Sequence, residues 1–509
     1  MSPLRRGKRR LLSFLRCPES RVCYLATAIF GTLSYLYLFV NNISNNDMIA
    51  CLPRGYGTGV TSGRWLLHLL GGLTDRIWGA YNVPLFNGLL ALILLGLTSA
   101  LLVRVLELHS KPLCFAVAAV TAAAAPIASA MFFLFTVHYF ALALLCIVAA
   151  AYLLKRSTLI SFLGAAVLGA CSLGIYQAYF PFFAVILLLT LLICCLDAQS
   201  TVKRIFLHAL RCLAVLVLSY LFYRLALQVC LAVLGTQLSD YQGVSSMGSL
   251  SLNALPQAYL EFFLLPLREF TGFNATLFLR LMLLCLMVFS LVALIFFLRG
   301  KPGHVLFALL FVLLLPLAAN AFLVLAPGST LYTRMCMGLM AVFYLPAVLA
   351  EHLPMGKERR KKAAVLGVSL LLVLSAINYA WQSNGNYQSV YYSNRKAENY
   401  FTTLFTRIKS LEGYRADMEV VLIGDNFSDE SYSDNWLDTP FLYRGRIGAV
   451  AQLNQYSRAQ FVANYLGYSF RAVTEEEAAL YAEEIGSMAC YPDSGSLLIV
   501  EDLVLVRLE

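Results

Sequence analysis

The feature that most restricts this chain is the way basic charge alternates between eleven long apolar stretches. A helix needs roughly 20 mostly apolar residues to cross the ~30 Å hydrocarbon core of a bilayer. Stretches of that kind lie near 22–41, 82–106, 112–130, 133–154, 157–174, 178–196, 205–234, 276–298, 303–325, 335–350 and 363–381. Lys and Arg gather before the first of them, at Arg5, Arg6, Lys8, Arg9 and Arg10. They gather again after the second (Arg104, Lys111), fourth (Lys155, Arg156), sixth (Lys203, Arg204), eighth (Arg299, Lys301) and tenth (Lys357, Arg359, Arg360, Lys361, Lys362). The positive-inside rule then puts the N-terminus in the cytoplasm. Eleven is odd, so the last 128 residues fall on the outer side. The expected architecture is a polytopic α-helical protein of the inner or plasma membrane: a basic cytoplasmic N-terminus over 1–21, a multi-spanning domain over 22–381 and an external α/β domain over 382–509. The first apolar stretch has full span length and no small-residue cleavage site, so no cleavable signal peptide is expected.

Charge is informative only when divided. Residues 1–381 carry 28 Lys/Arg against 10 Asp/Glu, or +18, and residues 382–509 carry 10 against 18, or −8, which together give the net +10. The positive part follows topology and faces anionic headgroups, so a nucleic-acid partner is not expected. The thirteen cysteines are scattered, most of them within spans, and read as small apolar packing residues. Only Cys51 and Cys490 clearly face outside, where a bridge between them is an open alternative. No Cys/His spacing suggests zinc, and no HExxH, Walker A or GxGxxG pattern is present. No metal and no cofactor is expected, and any substrate has to arrive through the membrane.

Seven cations of the membrane part break the cytoplasmic bias: Arg54, Arg64, Arg76, Arg224, Arg268, Arg280 and Arg334. Each falls in an external loop or near the outer end of a span. Snorkelling at the interface is one reading of any of them. That all seven are arginine favours a second, because the guanidinium fork suits bidentate phosphate recognition better than lysine does. An external cavity gripping a lipid phosphate is the inference.

The loop after the first span is the densest candidate. It runs through Asn45-Asn46-Asp47, then Gly55-Tyr56-Gly57-Thr58-Gly59, then Ser62-Gly63-Arg64-Trp65. Asp47 is one of few carboxylates in the membrane part; it is either a turn former or a catalytic group. Arg64 to Leu70 resembles a short interfacial amphipathic helix, with Trp65 in lipid and Arg64 and His68 turned toward a cavity. His138, Tyr139, Tyr176, Gln177, Tyr179, Asn87, Asn320 and Tyr332 gather at the same face, and intramembrane polar groups are candidates for function. The loop 236–274 adds Asp240, Glu261, Arg268 and Glu269 and reads as structured against that face.

Asn46-Asp47, the glycine-rich stretch and Ser62-Gly63-Arg64-Trp65 together resemble the first external loop of the type II Gtr glucosyltransferases, multi-spanning enzymes that modify surface polysaccharides such as O-antigen. Ser172-Leu173-Gly174-Ile175-Tyr176-Gln177-Ala178-Tyr179 resembles a second feature of that family, and Tyr491-Pro492-Asp493-Ser494-Gly495-Ser496 a third. The resemblance implies a GT-C architecture and a sugar, glucose first among hexoses, delivered as a polyprenyl-phosphate monosaccharide to an external cell-surface glycan. It implies Asp47 as general base and Arg64, with Arg224, Arg280 or Arg334, on the donor phosphate. Asn46, Tyr56, Trp65, His138, Tyr176 and Gln177 are the implied sugar and acceptor contacts. The family's acidic pair is Asn46-Asp47 here, so Asp240 or Glu261 is the candidate second carboxylate.

In the C-terminal part, 395–411 has helical spacing, Glu419 to Asp425 reads as a buried strand ending in a turn, and Thr474 with Glu477 makes a capping-box pattern. Two apolar runs split by Glu501-Asp502 read as a terminal hairpin, and 425–438 as an acidic aromatic loop. A transporter or lipid-linked-glycan flippase is the alternative. It predicts repeats and broken helices near the midplane, whereas here no repeat is visible and the polar residues crowd one face.

Overall fold

A computed structural model describes residues 14–50, 55–57, 59–79, 82–239, 251–267, 276–298, 300–326, 331–352, 358–424 and 455–508. The chain divides into two compact units, one of Met1–Asn42 with Gly55–Asn384, the other of Ile43–Arg54 with Gly385–Glu509.

The first unit is helical. Its elements are α1 (Pro18–Val40), α2 (Trp65–Trp78), α3 (Pro84–Val105), α4 (Lys111–Ala123), α5 (Ala125–Met131), α6 (Val137–Leu154), α7 (Leu159–Ile175), α8 (Phe180–Leu196), α9 (Val202–Leu234), α10 (Leu277–Phe297), α11 (Pro302–Ala319), α12 (Ala341–His352) and the part of α13 (Glu358–Lys409) up to Asn384, the rest of α13 belonging to the second unit. Nine helices among the described residues are long and apolar enough to cross a membrane. The number is ten when α4 and α5, bent by 46° against each other, count as one span. The bend has a local cause: Pro126 sits in the first turn of α5, where it offers no N–H and crowds the preceding carbonyl turn, and Ala124 is extended. The expected span near 157–174 is α7, an apolar helix of 17 residues, shorter than each of those nine.

Helices in this unit differ in how much of them is covered. α8 is the centre of the bundle, packed on α11, α9, α12 and α6, and 83% of its apolar window is buried. In α9 the figure is 22%. Its Leu213, Val217, Leu221 and Leu225 recur every fourth residue and stay exposed, which is the stripe a helix presents to lipid. Around α8, α3 packs on α6 and α1, α6 on α7, and α7 on α9 and on α2.

The second unit holds a four-stranded sheet in the order β2-β1-β4-β3, with β1 (Glu419–Ile423), β2 (Arg471–Ala472), β3 (Leu497–Val500) and β4 (Leu503–Arg507). β1 runs parallel to β2 and β4, with Val421 opposite Leu505, and β3 and β4 form the terminal hairpin. The end of α13 buries Phe401, Leu404, Phe405 and Ile408 against Val420, Leu422, Val504 and Val506. Alternation puts Val421 and Leu505 on the other face, over Met488. The capping box is present: Thr474 Oγ1 accepts from the Glu477 amide at 3.2 Å, and the Thr474 amide donates to Glu477 Oε2 at 3.0 Å.

The segment after the first span belongs to this second unit. Its short helix Asn46–Ala50 carries Asp47, half-buried, and Ile49, fully buried among Phe401, Leu404 and Phe461. Asn45 Oδ1 accepts from the Met48 amide at 2.8 Å, and Ser44 Oγ pairs with the Tyr465 hydroxyl at 2.8 Å. Cys51, Arg54, Asp240, Arg268, Glu269 and the acidic loop 425–438 lie outside the described residues, as does the side chain of Asn46.

Candidate active site

The site in the first unit starts from one turn. A single 3-10 turn, Val60–Ser62, ends at Gly63, whose φ of 75° lies in the left-handed region that L side chains avoid. A β-carbon there would also stand 2.3 Å from Gln177 Nε2 and 2.6 Å from the Tyr223 hydroxyl. Conformation and close approach therefore both require glycine. Gln177 Nε2 fills the space instead, donating to the Ser62 carbonyl at 2.8 Å and to the Tyr223 hydroxyl at 3.1 Å. Arg64 and Trp65 then open α2, with Arg64 at the cap position. The Trp65 ring lies against Gly174, where a side chain would meet the indole at 2.6 Å.

This turn delivers Arg64 to an aromatic wall. Its guanidinium sits 5.0 Å from the centre of the Tyr176 ring, which stacks on Phe140 at 4.6 Å and meets the edge of Tyr179 at 5.0 Å. Arg334, in the 3-10 segment Thr333–Met340, is held between Phe133 and Tyr332, each ring centre 4.4 Å away. A cation over aromatic faces keeps its charge but loses part of its hydration, so an incoming anion meets it at lower desolvation cost. Polar atoms with no hydrogen-bond partner among the described residues are buried on the same elements: Trp65 Nε1, Thr136 Oγ1, His138 Nδ1, the Tyr179 hydroxyl and Thr333 Oγ1. Buried donors and acceptors are normally satisfied. Five unsatisfied ones beside two stacked arginines mark a place built to meet something polar.

Tyr56 packs on α2 against Gly71. Its hydroxyl is 2.8 Å from His68 Nδ1. Burial, with Asp75 and Tyr139 nearby, pushes the Tyr56 phenol up from its ordinary value, so the phenol stays protonated, and the His68 tautomer sets which of the two groups donates. The Tyr139 hydroxyl reaches Thr74 Oγ1 at 2.8 Å, which ties α6 to the same helix.

An apolar cavity of about 470 Å³ opens next to this wall, lined by Leu173, Phe180, Leu213, Val217 and Phe322, with Gln177, Tyr220 and Tyr223 as its polar members. The two residues that contact the Gly63 turn thus also border a compartment suited to hydrocarbon.

The structure brings Arg64, Trp65, Tyr176 and Gln177 together, with Tyr56, His138 and Arg334 on neighbouring elements. Arg224 follows Tyr223 on α9 and is half-buried. Arg280, in the first turn of α10, and Glu261, on the helix Leu255–Phe263, are half-buried on other elements. That helix is fixed to α11 by Asn320 Nδ2, which donates to the Ala258 carbonyl at 2.7 Å. Asp47 is in the second unit. Among the described residues no three His, Cys, Asp or Glu side chains gather as a metal site. Sequence reasoning missed Tyr223, Phe140 and Phe133. The only signal for the first was Tyr220-x-x-Tyr223-Arg224, a polar patch inside an otherwise apolar span.

A family model described as glucosyl transferase GtrII matches residues 36–350, more than half of the chain, and covers the whole of this site. No curated protein matches the chain.

Proposed function

The chain belongs to the glucosyl transferase GtrII family, a GT-C-type glycosyltransferase family, and we propose that it moves a hexose, glucose first, from a polyprenyl-phosphate donor to an extracytoplasmic cell-surface glycan. The observation that carries this reading is the junction at Gly63. One turn sets an arginine over an aromatic ring, and its two polar neighbours, Gln177 and Tyr223, border an apolar cavity. A donor with a phosphate, a sugar and an isoprenoid tail has one part for each: guanidinium, aromatic wall and cavity.

In the proposed reaction an acceptor hydroxyl oxygen attacks the anomeric carbon and its proton passes to the Asp47 carboxylate. The bond from that carbon to the phosphate oxygen breaks, and the phosphate leaves with the electron pair. Arg64, with Arg224, Arg280 or Arg334, stabilises the charge that develops on the departing phosphate. Tyr56, Trp65, His138, Tyr176, Gln177 and Asn46 are the proposed sugar and acceptor contacts, and Asp240 or Glu261 the proposed second carboxylate. The proposal needs the site on the outer face, with a cytoplasmic N-terminus and residues 382–509 outside, as the loop charges predict.

The test is transfer of radiolabelled glucose from polyprenyl-phosphate glucose to envelope glycan in membranes, wild type against Asp47→Asn. Removing a general base costs about 10²-fold or more in rate. A collapse of that size at unchanged protein level supports Asp47 as base. Unchanged transfer moves the role to Asp240 or Glu261, and absence of transfer by the wild type rejects the donor.

A further inference from the structure

A second, separate pocket lies at the other end of α9. Arg204 and Tyr223 are 19 positions apart on that helix, roughly 28 Å at 1.5 Å per residue. The pocket has a volume of about 470 Å³ and lies among the ends of α3, α6, α8 and α9. Four cations line it, Lys155, Lys203, Arg204 and Arg211, against one carboxylate, Glu107. Lys155 already holds Glu107 at 2.7 Å, and Arg211 spends one nitrogen on the Arg156 carbonyl at 2.7 Å. Asp197, close in sequence, accepts from the Gln199 amide at 3.0 Å and from Ser200 Oγ at 2.9 Å. Asp197 keeps its negative charge and lies close enough to Arg204 to attract it, so the recess and its margin hold four cations against two carboxylates, Glu107 and Asp197. The N-terminus of α9, capped by Thr201, adds its dipole in the same sense.

The pocket's surroundings identify its ligand class. Leu207 lines it and is itself exposed, and Phe206 and Leu210 continue the exposed apolar surface of α9 on either side. At the start of α7, Leu159 and Ile160 are 70% and 85% exposed, so hydrocarbon has a surface to lie on there as well. A basic recess that opens onto lipid-facing side chains fits a phosphate whose acyl chains stay in the bilayer. A soluble phosphate ester would use the cations and leave that apolar margin without a role.

We propose that this recess is a binding site for the phosphate headgroup of an anionic phospholipid, distinct from the candidate active site at the opposite end of α9. Lys203, Arg204 and Arg211 hold the phosphate, and the chains run along Phe206, Leu207 and Leu210. The site ties the bundle to anionic lipid at the face where basic loops already accumulate.

The test uses the purified full-length protein in detergent, with native mass spectrometry to count retained lipid after titration with phosphatidylglycerol or phosphatidylcholine. The wild type is expected to retain phosphatidylglycerol over phosphatidylcholine, and a Lys203→Gln/Arg204→Gln variant to bind it about tenfold more weakly. The charge-preserving pair Lys203→Arg/Arg204→Lys, which controls for misfolding, is expected to stay within about twofold of wild type. Glycerol 3-phosphate is the third arm, and it should not displace the lipid at equal concentration. Equal retention of both lipids by the wild type overturns the proposal. So does loss in the charge-preserving pair, or full competition by glycerol 3-phosphate, which assigns the recess to a soluble ester.

Discussion

The two ends of α9 use the same kind of charge in opposite ways. Near Tyr223, arginine lies against rings: Arg64 over Tyr176, Arg334 between Phe133 and Tyr332. Near Arg204, no cation–ring contact among the described residues involves Lys155, Lys203, Arg204 or Arg211; Lys155 answers to the Glu107 carboxylate and the Arg104 carbonyl, and Arg211 to the Arg156 carbonyl. A ring face fixes a guanidinium's plane and strips some of its water, so geometry matters and lysine is a poor substitute. A solvated basic recess works as summed charge, in which the identity of each cation matters less. The difference separates a place built for orientation from one built for attraction.

The sharpest way to break the comparison is at the turn that sets the orientation. Gly63→Ala adds a β-carbon at a positive φ and against Gln177 and Tyr223. The backbone strain alone costs about 1–2 kcal/mol, before the clash displaces Gln177. Glucosyl transfer by Gly63→Ala membranes is expected to fall at least about 30-fold, with protein level by immunoblot as control. Near-normal transfer would mean that Arg64 does not need this turn.

Next in size is the exchange of arginine for lysine. Arg64→Lys keeps the charge but loses the fork and the flat stacking surface over Tyr176. Transfer is expected to drop about tenfold, the equivalent of roughly 1.4 kcal/mol. The matching exchange at the recess, Lys203→Arg, is expected to leave lipid retention within about twofold. If Arg64→Lys proves as mild, the two ends do not differ in kind and the phosphate-clamp reading of Arg64 weakens.

A smaller effect isolates one hydrogen bond. Tyr223→Phe removes the oxygen that accepts from Gln177 Nε2 at 3.1 Å but leaves the bond to the Ser62 carbonyl at 2.8 Å. One such bond contributes about 1 kcal/mol, so transfer should fall about fivefold, seen as a rate difference at saturating donor. A Gln177→Ala variant, losing both bonds, should fall further. Equal losses would show that the Tyr223 bond carries the turn by itself.

The sequence made some of this arrangement legible, and geometry explains which parts. Ser62-Gly63-Arg64-Trp65 stands out locally, and its chemistry is local as well: a left-handed glycine followed by a helix start. The apolar lengths and the Thr474 capping box are also short-range signals, and they could be read directly. What was not legible depends on distant segments meeting. Nothing near Ile43 or Ile49 announces that they pack with Phe401 and Phe461. The basic recess needs the ends of four helices, and each pair of cations alone reads only as a topology signal. The pairing of Tyr223 is hidden for the same reason, because its partner Gln177 is 46 residues away. The bend between α4 and α5 lay within reach, since Pro126 marks it, but an apolar run hides a break that costs no hydropathy.

The last and smallest effect lies in the sheet unit, where one arginine on β2 is shared by two carboxylates. Arg471 on β2 donates to Glu477 Oε2 at 2.6 Å and meets Glu419 of β1 at 2.9 Å, linking the sheet's edge to the helix start at Thr474. The Arg471 guanidinium, helped by the Thr474 amide, holds the Glu477 carboxyl at about 2, well below its ordinary 4.5. A depressed acid contributes stability above its unfolded value and loses it as pH falls toward the folded one. The contribution is therefore intact above about pH 4.5 and fades toward pH 2. Glu477 lies at the surface, where solvent weakens such pairs, so the loss in melting temperature between pH 5.5 and 3.5 should be only about 2 °C more in wild type than in Glu477→Gln. Paired melts of the two proteins across that range measure it directly. An equal slope would place the acid sensitivity elsewhere, and a steeper slope in Glu477→Gln would reverse the sign of the Arg471 interaction.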